Sequence, residues 1–180
     1  MQTNKIKVVL VGDTGVGKTT YVKRMKTGEF ERKHTPTMGV EVTPLTFHTN
    51  KGVTFVNVWD CAGDEKFRGL GSGYYIGAQV GIVLFDLTRQ GTWCNVPQHI
   101  QKLRMVDPSM NIIICGNKVD IPNLEVKFSE IKLPEDVTYY HLSTKSNYNF
   151  EKPWLSAIRT VLGQDTVFVE EGSEDVPVDA

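Results

Sequence analysis

The sequence predicts an α/β fold: a six-stranded, mostly parallel sheet with one antiparallel edge strand and helices on both faces. Three observations predict it. Short apolar runs at residues 5–11, 80–87 and 111–118 are typical of buried strands in a parallel sheet. Helical patterns stand between strand-like segments, which is the order of elements in an α/β sheet. Two neighbouring strand-like segments joined by turn residues supply the antiparallel edge.

Six segments have the pattern of strands: residues 5–11, 40–48, 53–60, 80–87, 111–118 and 137–143. The first is mainly apolar and ends at a glycine-rich turn, so a buried strand is expected. The second and third are separated by the turn residues TNKG, so they are predicted to form a hairpin. The fourth and fifth are continuous apolar runs, as central parallel strands are, and the sixth is a further strand.

Three segments have the pattern of helices: residues 18–26, 92–105 and 151–162. The last of these has apolar residues on one face, Pro153 in its first turn and Gly163 at its end. Residues 27–39 lack a clear period, and residues 61–73 are rich in glycine and charge. Exposed loops are predicted for both of these segments.

Length and composition indicate one domain. The chain has 180 residues, 40% apolar and 23% charged, with a net charge of -1. Bulk charge therefore gives no argument for binding nucleic acid or an anionic membrane. We expect the domain to span residues 1–163 and a short, loosely held acidic tail to follow at 164–180.

We recognise no targeting or lipidation signal in the sequence. No apolar run approaches the length of a membrane span, residue 2 is not glycine, and the last residues, VPVDA, contain no prenylation cysteine. The three cysteines lack metal-ligand spacing, which favours reduced intracellular thiols. A soluble, unlipidated monomer in the cytoplasm or nucleus is expected.

The segment GDTGVGKT, residues 12–19, fits the phosphate-binding pattern G-x-x-x-x-G-K-[ST] between a strand and a helix. Its glycines let backbone N–H groups surround a phosphate, and the helix N-terminus adds partial positive charge. Lys18 is predicted to reach the β- and γ-phosphates, and Thr19 to bind Mg²⁺. The alternative is a glycine turn in which the Lys-Thr pair is a coincidence. The predicted phosphate-binding residues are Asp13, Thr14, Gly15, Val16, Gly17, Lys18, Thr19, Thr20, Thr37 and Gly63.

Two further positions complete a predicted Mg²⁺ site with Thr19. Asp60 ends a strand of the same sheet, where a carboxylate can hold Mg²⁺ through water, while the N–H of Gly63 can meet the γ-phosphate. Thr37 in the exposed loop can bind Mg²⁺ by its hydroxyl and the γ-phosphate by its N–H. The alternative for Asp60 is an ordinary turn at a strand end.

The tetrapeptide NKVD, residues 117–120, follows an apolar strand. Asp120 can accept two hydrogen bonds from N1 and the exocyclic amino group of guanine, a pair that adenine lacks. Each short motif alone is weak, since such tetrapeptides are often polar turns, but their order at successive strand ends favours a guanine site. Phe30 either lies over the base or packs on a neighbouring helix. The predicted guanine-binding residues are Phe30, Asn117, Lys118, Asp120, Ser143, Thr144 and Lys145.

Together, GDTGVGKTT, TPTMG, DCAG, GNKVD and STK resemble the five motifs of the Ras superfamily of small GTPases. Further stretches, above all KSNYNFEKP at residues 145–153, are similar to the Ran family within it. The resemblance covers about residues 5–163. It implies a P-loop G domain that binds GTP or GDP with Mg²⁺, with two switch segments at about 29–41 and 60–75 that the γ-phosphate orders.

The resemblance also implies a role in nucleocytoplasmic transport, in the nucleus and the cytoplasm. The implied partners are importin- and exportin-type transport receptors, a guanine-nucleotide exchange factor and a GTPase-activating protein. The implied enzyme activity is hydrolysis of GTP to GDP and phosphate.

Position 64 departs from the family pattern, because Asp64 stands where the family has a glutamine that orients the attacking water. An ionised Asp64 cannot donate a hydrogen bond and adds negative charge, so slow hydrolysis is expected. Thr14 replaces a glycine near the γ-phosphate. His34, in place of a tyrosine, either pairs with Asp64 or is an ordinary exposed loop residue. The alternative is that Asp64 faces solvent and another group positions the water. The predicted catalytic residues are Asp64, Lys18, Thr37 and Gly63.

Two functions follow from these residues. One is a switch that cycles between GTP and GDP. The other is a GTP-locked, hydrolysis-deficient binding protein that occupies transport receptors. An ATP-binding P-loop enzyme is a third possibility, and Asp120 argues against it.

Overall fold

The computed structural model describes residues 3–32, 35–64 and 71–172. The strands are β1 Thr3–Val11, β2 Val40–Thr49, β3 Gly52–Cys61, β4 Val80–Asp86, β5 Asn111–Asn117 and β6 Val137–His141. The helices are α1 Lys18–Thr27, α2 Gln90–Cys94, α3 Val96–Val106 and α4 Lys152–Leu162. Short 3₁₀ turns cover Gly71–Tyr75 and Phe128–Glu130.

The six strands form one sheet in the order β2-β3-β1-β4-β5-β6. β2 and β3 pair antiparallel, as predicted for the hairpin, and the other four neighbouring pairs are parallel. The predicted fold class is therefore confirmed. In the part of the chain that the structure describes, the helices are too short or too polar to cross a membrane.

Successive side chains of β1 are buried on opposite faces of the sheet, which shows that both faces are covered. Ile6, Val8 and Leu10 are buried in one apolar cluster with residues of α1 and α4. Val9 and Val11 belong to a second cluster, which includes the buried face of α3. Because side chains alternate along a strand, β1 supplies both cores and lies at the centre of the domain.

The single helix predicted over residues 92–105 is two helices, α2 and α3, which meet at Asn95. Pro97 lies in the first turn of α3. In a continuous helix, Pro97 would remove a backbone hydrogen bond and its ring would clash with the carbonyl group four residues earlier. In a first turn its missing N–H costs nothing, which explains why the chain breaks here.

The tail predicted to be loosely held from residue 164 packs against the hairpin over its first residues. Phe168 stacks on Phe47, with ring centroids 5.2 Å apart. The N–H of Val169 donates to the carbonyl oxygen of His48 at 2.9 Å. Ordered packing thus extends beyond the predicted domain boundary, and the end of the tail lies outside the described residues.

All three cysteines lie among the described residues, and none of them forms a disulfide bond. Cys61 and Cys115 are buried, whereas Cys94 at the end of α2 is exposed. Burial raises the pKa of the Cys115 thiol well above its ordinary value. The two buried thiols are therefore packing residues, and Cys94 alone meets solvent.

Candidate functional site

The phosphate loop, residues 12–17, joins β1 to α1 at the carboxyl end of the parallel strands. Gly17, the residue before α1, has a φ of 104°, which favours glycine. A Cβ atom at this position would also lie 2.6 Å from Asn117 Nδ2. Glycine is thus required both by the backbone conformation and by the close approach of the loop to the end of β5.

Five consecutive carbonyl oxygens of this loop, from Gly12 to Val16, accept hydrogen bonds from side chains. Lys18 Nζ donates to Gly12 O at 2.8 Å and to Asp13 O at 2.9 Å. Arg89 Nη2 donates to Thr14 O at 3.0 Å, and Lys118 Nζ donates to Gly15 O at 3.1 Å. Asn117 Nδ2 donates to Val16 O at 3.0 Å. These bonds fix the orientation of each peptide plane. A loop held in this way can present its N–H groups as a nest for an anion.

Three oxygen-bearing side chains converge beside the phosphate loop. Thr19 Oγ1 donates to Asp60 Oδ2 at 2.5 Å and lies 2.7 Å from Thr37 Oγ1. Thr37 belongs to the long loop before β2, so this contact brings that loop against the start of α1.

The Asp60 carboxylate is incompletely satisfied. It is 2% exposed, and its Oδ1 atom is buried without a hydrogen-bond partner among the described residues. Burial raises the pKa of Asp60 to about 6. A desolvated carboxylate beside two hydroxyl groups is an all-oxygen set that fits a hard cation such as Mg²⁺.

Gly63, two residues after the end of β3, lies against the phosphate loop. A Cβ atom on Gly63 would lie 2.4 Å from the backbone nitrogen of Thr14, so a larger residue would push the two segments apart. Asp64 follows and is half-buried. Asp64 and Thr14 line the same cavity of about 30 Å³, together with Lys18 and Thr37.

Two expectations fall outside the described residues. His34, for which pairing with Asp64 and exposure in the loop are the two interpretations, is one of them. The central part of the second predicted switch segment, residues 65–70, is the other.

The NKVD and STK motifs are bonded to each other. Asn117 Oδ1 accepts from the backbone N–H of Lys118 at 2.8 Å, and from the N–H and hydroxyl of Thr144 at 3.2 Å each. Ser143 Oγ donates to Asp120 Oδ1 at 2.6 Å. The two loops after β5 and β6 therefore form one unit.

This unit lines a second cavity, of about 240 Å³. Its walls include the predicted guanine-binding residues Phe30, Asn117, Lys118, Asp120, Thr144 and Lys145. Gly15, Gly17 and Thr20 line both cavities, so the two form one cleft. We name the smaller cavity the phosphate end and the larger one the base end, after the ligand groups that the sequence predicts for their lining residues. Val16, predicted among the phosphate-binding residues, is fully buried with its side chain in the core and lines neither cavity.

Sequence reasoning missed Asp86, which ends β4. Its carboxylate lies 2.6 Å from Lys118 Nζ and 3.1 Å from Arg89 Nε. Burial pushes the pKa of Asp86 upward, but hydrogen bonds from Lys118 and Thr88 outweigh burial and hold the pKa below its ordinary value. An acidic residue at the end of an apolar strand is the same signal that identified Asp60. Asn95 and His99, which contact Asp13, carry no such signal.

Comparison with known families agrees with this site. The model of the Ras family matches residues 7–163, which include every site residue described above. The match covers most of the sheet and all four helices. The chain therefore belongs to the Ras family, whose members are P-loop GTP-binding switches that bind GTP or GDP with Mg²⁺ and generally hydrolyse GTP.

Proposed function

We propose that this chain is a GTP-binding switch of the Ran type that acts in nucleocytoplasmic transport and hydrolyses GTP slowly. Nucleotide binding is supported by the side-chain hydrogen bonds to five consecutive carbonyl oxygens of the phosphate loop. Three of the donors, Lys18, Arg89 and Lys118, are cationic. With its carbonyl oxygens held in this way, the loop can present its N–H groups to phosphates.

The phosphates of GTP bind to the main chain of residues 13–20 and to Lys18. The Lys18 side chain is 6% exposed and lies at the Gly12 and Asp13 carbonyl oxygens, at one wall of the phosphate end. From there its ammonium group neutralises charge on the β- and γ-phosphates. The N-terminus of α1 adds partial positive charge, and the N–H groups of Thr37 and Gly63 serve the γ-phosphate.

Mg²⁺ is held by the hydroxyls of Thr19 and Thr37, with Asp60 acting through water. The orphaned Oδ1 atom of Asp60 supports this assignment, since a buried carboxylate oxygen without a partner is rare. The bound ion supplies charge neutralisation for the β- and γ-phosphates.

Guanine binds at the base end, where Asp120 accepts from N1 and the exocyclic amino group. Ser143 already bonds one oxygen of Asp120 at 2.6 Å, which fixes the orientation of the carboxylate. Adenine would leave this carboxylate without its partners, so ATP is rejected. Phe30 and the stem of Lys118 cover the base, and the main chain at Thr144 and Lys145 meets guanine O6.

Slow hydrolysis is proposed because Asp64 lines the phosphate end beside Thr14. An ionised carboxylate accepts a hydrogen bond from the attacking water but cannot donate one to the developing charge. Loss of one well-placed donor costs about 10²–10³-fold in rate in other enzymes, and charge repulsion adds to this loss. The same observation favours a second candidate, a GTP-locked binding protein that occupies transport receptors.

The transport role rests on similarity to the Ran family. The most similar stretch, residues 145–153, is tied into the domain: Tyr148 O accepts from the Ser143 N–H at 3.0 Å, and Phe150 O accepts from the Tyr21 hydroxyl at 2.8 Å. This stretch therefore supports the guanine loop. The proposed partners are importin- and exportin-type receptors, an exchange factor and a GTPase-activating protein, in the nucleus and the cytoplasm.

Hydrolysis of bound GTP in a single turnover tests the role of Asp64. We expect Asp64→Gln to hydrolyse GTP on the order of 100-fold faster than the unaltered protein, because it restores a donor of the right length. Asp64→Asn is the matched control, since it removes the charge but keeps the shorter side chain. Equal rates for all three proteins would show that residue 64 does not control hydrolysis.

The transport role is tested separately with a purified importin-type receptor. We expect the receptor to bind the GTP-loaded protein and to release the GDP-loaded protein. A receptor that binds neither form would leave a GTP-binding protein without the proposed transport role.

A further inference from the structure

Asp13 of the phosphate loop is bonded by two side chains from the region where α2 meets α3. Asn95 Nδ2 donates to Asp13 Oδ2 at 2.7 Å. His99 Nε2 lies 2.8 Å from Asp13 Oδ1. Both oxygens of one carboxylate are thus engaged by residues more than 80 positions away in the sequence.

Asn95 occupies the N-cap position of α3 but makes no capping hydrogen bond. Asparagine is one of the preferred residues at this position because its side chain normally bonds the first N–H groups of the helix. Here the side chain is directed to Asp13 instead. The Asn95 side chain thus bonds the phosphate loop and not the start of its own helix.

His99 is 4% exposed and lies on the buried face of α3, beside Val96, Ile100 and Leu103. A buried imidazole among apolar residues requires hydrogen-bond partners. Since an ionised carboxylate can only accept, His99 Nε2 carries the proton and donates to Asp13. The imidazole is therefore fixed by the core on one side and directed to the loop on the other.

Asp13, which Asn95 and His99 hold by its side chain, also helps to hold Lys18 by its backbone carbonyl group. The carbonyl oxygen of Asp13 accepts from Lys18 Nζ at 2.9 Å, and the next carbonyl, of Thr14, accepts from Arg89 at 3.0 Å. Movement of the Asp13 side chain would displace the same peptide units. The contacts from α3 are thus connected to the phosphate site through one residue.

We propose that Asn95 and His99, named here the α3 brace, are positioning residues that hold the phosphate loop in its nucleotide-binding conformation and slow nucleotide release. The inference rests on the proposed nucleotide binding and adds to it a determinant outside the recognised motifs. Each brace residue makes a hydrogen bond to a carboxylate. Loss of one such bond is expected to raise the release rate about tenfold.

Four variants separate positioning from general stability. His99→Phe keeps an aromatic ring in the core but removes the donor, and His99→Gln keeps a donor of similar reach. Asn95→Asp is isosteric at an exposed position and places a carboxylate against Asp13. Gln98→Ala, exposed on the same helix, is the matched control.

The first measurement is the release rate of a fluorescent GDP analogue after addition of excess GDP and Mg²⁺. We expect about tenfold faster release for His99→Phe and Asn95→Asp. The rates of His99→Gln and Gln98→Ala should stay near that of the unaltered protein. A merely structural role would not give rescue by glutamine.

The second measurement is hydrogen exchange of the backbone amides of residues 12–17 without added nucleotide. The brace predicts faster exchange there in His99→Phe and Asn95→Asp, with the rest of the domain unchanged. If the unaltered protein holds no GDP, the proposed function fails, and this second measurement still decides whether the brace exists. Release rates and loop exchange equal to those of Gln98→Ala would overturn the inference.

Discussion

The two ends of the cleft differ in how far the protein satisfies its own polar groups. At the base end, Asn117 Oδ1 accepts three hydrogen bonds and Asp120 is bonded by Ser143. At the phosphate end, Asp60 is buried with one oxygen lacking a partner among the described residues, and burial raises its pKa to about 6. The base end is thus formed by folding, whereas the phosphate end requires a ligand to complete it.

The two ends contribute with opposite sign to the free energy of folding. Satisfied buried hydrogen bonds stabilise the folded domain, so the base end contributes to folding. A desolvated carboxylate with an unpaired oxygen destabilises it, so Asp60 costs folding free energy in the ligand-free protein. Substitutions of Asn117 and Asp60 should therefore change the stability of the ligand-free protein in opposite directions.

The largest expected effect is at Lys18. Lys18→Met keeps the apolar stem but removes the cation from the phosphate end, so GDP affinity should fall on the order of 1000-fold. Titration of a fluorescent GDP analogue measures this loss. Lys26→Met, at an exposed position of the same helix, is the control and should bind GDP as the unaltered protein does. Equal affinities for both variants would contradict the assignment of the phosphate end.

An intermediate effect is expected at Asn117. Asn117→Ala leaves the carbonyl of Val16 and the N–H of Thr144 without their partner, and both groups are buried. We expect the ligand-free protein to lose about 2–4 kcal/mol of unfolding free energy, measured by urea denaturation. The exposed Asn111→Ala at the start of β5 serves as the control. A loss no larger than that of the control would show that folding does not build the base end.

The smallest expected effect has the opposite sign. Asp60→Asn keeps the shape and the bond from Thr19 but removes a buried charge, so the ligand-free protein should gain about 1–2 kcal/mol of unfolding free energy. The same variant should lose the tightening of GDP binding by Mg²⁺. Glu135→Gln, an exposed carboxylate that lines neither cavity of the cleft, controls for general loss of negative charge. Destabilisation by Asp60→Asn would reverse our account of the phosphate end.

Local pattern was sufficient to predict the sheet, and most of the residues that it singled out line one cleft. Asp60 and Asn117 could be found because each ends an apolar strand, and the carboxyl ends of parallel strands meet at one edge. Lys18 could be found because its motif is contiguous. The break at Asn95 was missed although Pro97 marks it, since the apolar period continues across the proline.

The remaining features depend on contacts between distant residues. Asp13 meets His99 across 86 positions, and nothing in the helical pattern distinguishes a histidine that bonds a loop from one that fills a core. Phe168 stacks on Phe47 from a segment whose acidic composition predicts a loose tail. In both cases the deciding contact exists only after the sheet has formed.

Cys94 offers a practical use of the α3 brace. It is exposed, it immediately precedes Asn95, and the other two cysteines are buried. Thiol reagents require an accessible thiolate, so a maleimide fluorophore will label the folded chain at this one position. The sequence thus carries a labelling site next to Asn95, at which a fluorophore would report movement of the proposed α3 brace without removal of any cysteine.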